Sequence, residues 1–175
     1  PLALAHDQHL PQQLVSQEKQ AALLLLAQYG MGWDFAPWDE EGNRNALLAE
    51  AISQDKPAML RWLLQAGANP NGGNEQPPPL HSCCWGKGNL QHANILLGAG
   101  ADVNGCGADG ITALMVAALG NKAEMVEWLL RHGANSQQRD QHGHKAADYA
   151  KMNKHYGLAL RLSPVGQLWK RHIRP

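Results

Sequence analysis

The sequence predicts an all-α solenoid of about five helix–loop–helix units,. Three observations predict it. The pairs Leu63-Leu64, Leu96-Leu97 and Leu129-Leu130 recur every 33 residues. The dipeptides Gly67-Ala68, Gly100-Ala101 and Gly133-Ala134 keep the same step. So do Asn71 and Asn104, with Gln137 in the next place. A fixed period across three units is the mark of a repeat architecture, in which one unit cannot bury both helix faces and its neighbours complete the core.

The clearest unit spans residues 109–135. Asp109-Gly110 makes a turn, Thr112 to Ala118 an apolar inner helix, Gly120-Asn121 a polar break, and Glu124 to Arg131 an amphipathic outer helix that stops at Gly133,. Taken in order, the units differ in how well they keep this plan. The first is degenerate: Gln8 to Val15 and Lys19 to Tyr29 make two short helices ending at Gly30. Terminal repeats are expected to be atypical because one face meets water. From Gly30 to Gly67 is four residues longer than the period, and the excess falls in Met31 to Gly42. That enlarged turn carries Trp33, Phe35 and Trp38, which either cap the first unit or form one lip of a groove.

The second unit has Ala46 to Ile52 as its inner helix and places Pro57 in the first turn of the outer one, where the missing N–H costs little,. The third opens on a turn rich in Gly, Asn and Pro, Asn69 to Pro77, followed by Pro78-Pro79-Leu80-His81,. It is one residue longer than its neighbours, in Trp85-Gly86-Lys87-Gly88, and loops absorb such insertions cheaply,. The fifth begins at Asp140 with Ala146 to Ala150 as inner helix and a shorter outer helix, Tyr156 to Leu162. Ser163-Pro164 reads as the N-cap and first residue of a closing helix, Val165 to about His172, packed through Trp169,.

Pro78-Pro79-Leu80-His81 stands where Thr112-Ala113-Leu114-Met115 stands one unit later. With the 33-residue period, this resembles the T-P-L-H-x-A signature of the ankyrin-repeat family, and the resemblance covers nearly the whole chain,. It implies units of β-turn, helix, loop and helix, with the turns projecting as fingers and the concave face binding other proteins. The expected division is one domain, 1–175, with an N-terminal cap repeat at about 8–44, repeats at about 45–77, 78–110 and 111–143, and a C-terminal cap repeat with closing helix at about 144–175. In the fifth unit Asp148 replaces the signature His, a variant common in the family's last repeat.

Charge and composition exclude several classes. Fifteen basic and fifteen acidic residues balance, so neither a nucleic acid nor an anionic membrane is the expected partner,. The longest apolar run, Ala21 to Ala27, is too short to span a bilayer,. Ala3-Leu4-Ala5 has the small-x-small form of a cleavage site, but the charged region and most of the apolar region of a leader are missing, and no leader remnant is expected,. Three Cys form no disulfide framework and suggest a reducing, cytoplasmic setting,. The protein is expected to be monomeric on its own.

No catalytic, cofactor or metal site is expected. His81 belongs to the fold signature, linking turn to helix; His92 falls at an apolar outer-helix position; His132 precedes a stop Gly. His142 and His144 share a finger but lack a third ligand nearby in sequence, and zinc needs three or four,. Cys83-Cys84 take the small seats that Ala117-Ala118 hold one unit later, with no basic activator beside them,. Gly86-Lys87-Gly88 lacks phosphate-loop spacing, and Asp39-Glu40-Glu41 lies on a turn, not in a rigid pair,.

Binding is expected on the inner helices and fingers. The position five after the signature Leu reads Ser53, Trp85, Leu119 and Met152. Family resemblance puts it at the groove, where the last three would lie in line, about 10 Å apart. Asn74, Glu75, Asp109, Ile111, His142 and His144 on the fingers would form the polar rim,. Trp62 and Trp128 share an outer-helix position and are assigned to the core. The expected function is binding of a specific protein partner; the alternatives are an immunity or inhibitor protein blocking a toxin's or enzyme's active site, or a targeting domain of a longer chain.

Overall fold

The structure is a computed structural model, and it describes residues 46–65, 68–72, 77–85, 89–164 and 166. The first repeat with its Trp33-to-Trp38 finger, Gly67, Asn74, Glu75, Gly86 to Gly88 and the closing helix with Trp169 lie outside the described residues. Eight helices and no strand occur among them. They fall into two compact units divided after Ala101.

The first unit holds α1 (Ala46–Ser53), α2 (Pro57–Gln65), α3 (Pro79–Ser82) and α4 (Leu90–Gly98). α1 packs on α2 and α3, and α4 on α2 and α3. Leu48, Ile52, Leu60, Leu63, Leu80 and Leu96 are fully buried between them. Pro57 is the first residue of α2, as the sequence predicts,. α3 is a single turn, shorter than α1. Beyond it the Cys84 N–H donates to the His81 carbonyl (2.9 Å) and the Trp85 N–H to that of Ser82 (3.3 Å), the tighter i→i+3 pattern in which a helix ends,.

The second unit holds α5 (Ala113–Leu119), α6 (Ala123–Arg131), α7 (Ala146–Met152) and α8 (Tyr156–Leu162). α5 packs on α6 and α7, and α7 on α8. The last outer helix has the predicted bounds. Pro164 is helical, and Ser163 Oγ accepts from the Gly166 N–H at 3.2 Å, the predicted cap,. Cys83 and Cys84 are as deeply buried as Ala117 and Ala118, so a thiol does fill the small seat. Trp62 departs from expectation: it is only half-buried, as is Ile95, while Trp128 is buried with its ring 4.1 Å from that of His132. That outer-helix position lies at the margin of the core, and what covers it is local.

Two turns recur with the period. At the ends of the outer helices α2, α4 and α6 an N–H five residues along closes on the first Leu of the Leu-Leu pair: Ala68 to Leu63 (3.1 Å), Ala101 to Leu96 (3.0 Å) and Ala134 to Leu129 (2.9 Å). This closure needs a left-handed residue just before it, and Gly100 (φ 93°) and Gly133 (φ 92°) supply it,. At the ends of the inner helices α1, α5 and α7 the same closure joins Lys56 to Ala51, Lys122 to Ala117 and His155 to Ala150, all within 2.8–2.9 Å. Here the left-handed residues are Asp55, Asn121 and Lys154, each carrying a side chain at some cost in strain,.

An added Cβ at Gly133 would meet nothing within 4 Å, so substitution there costs backbone strain alone. Gly133→Val is expected to lower unfolding free energy by more than ~1 kcal/mol, and Gly133→Asn by less, since Asn tolerates this conformation. Urea unfolding of the three proteins measures the difference; equal midpoints would remove the helix-stop argument.

Candidate protein-binding surface

The finger of the fourth repeat starts as a narrow hairpin. Cys106 and Thr112 form an antiparallel bridge, the Gly107 N–H donates to Ile111 O (3.3 Å), and the Gly110 N–H donates to Gly107 O (2.9 Å). Gly110 sits at φ 72° and approaches the next finger so closely that a Cβ would lie 3.2 Å from Asp140 Cα. The backbones touch there: the Gln141 N–H donates to Asp109 O (3.1 Å), and the Gln141 side-chain amide donates to Ala108 O. Thr112 caps α5, its Oγ1 accepting from the Met115 N–H at 3.4 Å,. In the next repeat Asp148 has a related task, accepting from the Lys145 N–H at 3.1 Å, and this bond, ahead of Lys151, holds its carboxyl below the ordinary range.

The fifth finger is tied to its helix by Asp140, which the sequence reading passes over. Its side chain is buried. Oδ1 accepts from the His142 N–H (2.9 Å) and the His144 N–H (2.7 Å), and Oδ2 accepts from the Tyr149 hydroxyl (2.6 Å) with His144 Nδ1 3.4 Å away. The Tyr149 bond, then those two N–H groups, holds the Asp140 carboxyl at about 2 against burial,. Burial and Asp140 together raise the Tyr149 hydroxyl to about 12. An Asp three before a Gly, the pattern of a side chain bonding its own turn, was the available signal.

The predicted contact residues take the following places. In the first unit Trp85 is 54% exposed, just past α3. In the second unit Met152 is 54% exposed at the end of α7, Leu119 is half-buried at the end of α5, and the Asn153 side chain donates to the Leu119 carbonyl at 3.0 Å, joining the two helix ends. On the fingers Asp109 and His142 are exposed, while Ile111 and His144 are half-buried. The rings of His142 and His144 lie 6.1 Å apart. Asn74 and Glu75 lie outside the described residues.

Sequence reading also missed the side chains that fasten one repeat to the next. The Asn71 amide donates to Gly100 O and, one period on, the Asn104 amide donates to Gly133 O, both at 3.2 Å. Asn104 Oδ1 also accepts from the Asn135 N–H (2.8 Å). Gln137 takes the third place but accepts from Lys145 Nζ instead (2.6 Å). Each of these sits in a turn made by the residue two before it: Asn69, Asp102 and Asn135 accept from the N–H of 71, 104 and 137 at 2.8–3.0 Å. The positions 69, 102 and 135 keep the 33-residue step, and this was readable.

Residues 80–167 match the family model described as ankyrin repeats (3 copies), half of the chain. The chain belongs to the ankyrin-repeat family. Ankyrin repeats are in general protein–protein interaction modules, and the family is typically non-enzymatic. A stretch of 91 residues, 51% of this chain, is 34% identical to the human protein transient receptor potential cation channel subfamily A member 1. The match covers 8% of that relative's length.

The groups that could carry chemistry are arranged as an ankyrin scaffold arranges them. Among the described residues no group of three or more His, Cys, Asp or Glu is placed to hold a metal ion, and no helix is long and apolar enough to cross a membrane. Burial, then its neighbour Cys84, pushes the Cys83 thiol up, which suppresses the nucleophilic thiolate,. Cys106 is exposed.

Two outcomes follow from this geometry. A thiol reagent should modify Cys106 quickly and Cys83 and Cys84 only as the protein opens; fast labelling of all three in the folded state would contradict the small-seat packing. For Asp140, the folded pKa of about 2 lies below its ordinary 3.8, so its contribution to stability is present above about pH 4 and fades as pH falls towards 2,. Tyr149 is the reverse, contributing below its ordinary 10.0 and losing that contribution as pH rises through about 12,. Asp140→Asn should lower the melting temperature at neutral pH and flatten its fall between pH 4 and 2, while Asp148 leaves a residual slope. Thermal melts across that range read both effects.

Proposed function

We propose that this ankyrin-repeat chain is a single domain that binds one specific protein partner through its inner-helix ends and fingers, without catalysis and without a cofactor. The observation that carries the reading is one repeat position. Five residues after the signature Leu, Trp85 and Met152 each leave 54% of their surface exposed, and Leu119, on the inner helix packed beside that of Met152, is half-buried. Elsewhere the inner helices bury their large apolar side chains almost completely, as Leu80, Leu114 and Met115 do. Exposure of large apolar groups at one structural position in separate repeats supports a contact surface, because an exposed Trp or Met has no folded-state reason to recur there.

The surroundings suit that use. Asp109, Ile111, His142 and His144 would stand as a mixed rim to an apolar centre at Leu119 and Met152, and Asp140 holds the fifth finger in one conformation, so little ordering entropy would be lost on binding,. In the first unit Trp85 would act as the anchor, with Asn74 and Glu75 on the adjoining finger. Three free thiols, two of them buried, fit a reducing compartment and a cytoplasmic setting,.

The test is to isolate a partner from native lysate with the intact chain and then measure its affinity for single variants. Trp85→Ala and Met152→Ala should each weaken binding, the Trp change by ~2 kcal/mol or more, with melting temperature nearly unchanged because both side chains are exposed. The outcome that would overturn the reading is a large loss of stability with affinity intact in the refolded variants.

A further inference from the structure

His92 is the third residue of α4, and its N–H donates to Asn89 Oδ1 at 3.1 Å in the helix cap. Its imidazole is fully buried. One and two periods later the same outer-helix position holds Met125 and Leu158, both buried. The seat is therefore an apolar one, and the imidazole fills it without satisfaction: neither ring nitrogen has a hydrogen-bond partner among the described residues. A buried polar group left in that condition is costly and unusual.

One carboxylate stands at the mouth of the seat. Asp55 lies in the turn between α1 and α2 at φ 57°. Its Oδ1 is 3.6 Å from His92 Nε2, and the same oxygen accepts from Asn89 Nδ2 at 3.0 Å. The Asp55 side chain is 55% exposed, so water shares its charge. The other charge acting on the ring is the Arg61 guanidinium from α2, which opposes a proton. α4 has no other ionisable side chain, and α3, packed against it, contributes only His81, followed by the thiols Cys83 and Cys84. A neutral ring fits this seat, and a charged one has only a partly solvated carboxylate at 3.6 Å to answer it.

We propose that His92 is an acid-sensitive latch on the junction between the α1–α2 pair and the α3–α4 pair. Protonating the ring drives it out of its apolar seat and loosens the first turn of α4 from α2. Burial is the main influence that holds the ring neutral, Asp55 opposes it, and Arg61 adds to it. The sign is fixed by this direction. The folded group takes its proton at lower pH than the ordinary 6.5, so the folded state binds fewer protons, and stability present above pH 6.5 is lost as pH falls below it,. This inference does not depend on where a partner binds.

Amide exchange of α4 in the full chain, corrected for intrinsic rates, tests it at pH 7.5 and pH 5.0 in three proteins. In the wild type, protection of α4 should fall by at least ~3-fold on acidification. His92→Leu, which installs the residue found two repeats later in this seat, should abolish that fall. Asp55→Asn, which removes the attraction for the proton, should enlarge it. Should His92→Leu fold poorly, His92→Met takes its place, matching Met125. The proposal is overturned if the wild type and the His92 variant lose the same protection, or if the His92 ring titrates with an ordinary midpoint while α4 stays protected.

Discussion

The closure that ends the outer helices α2, α4 and α6 is the constraint on which the repeats depend. A helix end leaves its last carbonyls without partners, and burying such an end next to another repeat is possible only if those groups are satisfied. Here the Leu63, Leu96 and Leu129 carbonyls receive an N–H from the Ala that follows the stop position. The carbonyls of Gly100 and Gly133, turned outward by the left-handed backbone, are then available to the side chains of Asn71 and Asn104. One backbone conformation thus ends a helix and creates the acceptor that fastens the preceding repeat. This link between local conformation and repeat-to-repeat contact explains why the period is so strict at these residues and looser elsewhere.

The candidate surface follows from the same geometry. The outer-helix stops, the Asn side chains and the finger-to-finger backbone contacts hold neighbouring repeats together, and the side chains at positions such as Met152 and Asp109 then have no part in that packing. Such positions can carry exposed apolar and titratable side chains at low cost in stability. Asp140 shows how a finger is fixed to its inner helix: a single buried carboxylate takes two backbone N–H groups of the finger and the Tyr149 phenol of α7, and the finger it orders presents His142. Rigidity at the finger and exposure at Met152 are the two ingredients of a preorganised contact surface.

Most of the fold was legible from the 33-residue step. The start of α2, the bounds of α8, the cap at Ser163 and the left-handed Gly100 and Gly133 could be read because Pro, Ser and Gly restrict the backbone in ways a sequence displays,. What escaped was of two kinds. Asp55 and Asn121 are types that tolerate the left-handed turn, but Lys154 adopts it without that tendency, so at Lys154 tertiary packing decides and composition does not reveal it,. The knot at Asp140 depends on Tyr149, nine residues away and on another element, and pairings of that kind are settled by the fold. The surface was legible in part: exposure of Trp85 and Met152 was anticipated from their place in the repeat, while the margin position shared by Trp62, Ile95 and Trp128 depends on neighbours such as His132.

The central claim is that inner-helix ends and fingers, and not the outer helices, meet the partner. Hydrogen-exchange mapping of the chain with and without a bound partner tests this most directly. The account predicts new protection at the finger amides from Cys106 to Ile111 and from His142 to Lys145, and at the C-terminal turn of α7, with α6 unchanged. Protection confined to α6, with those fingers exchanging as in the free protein, would contradict it.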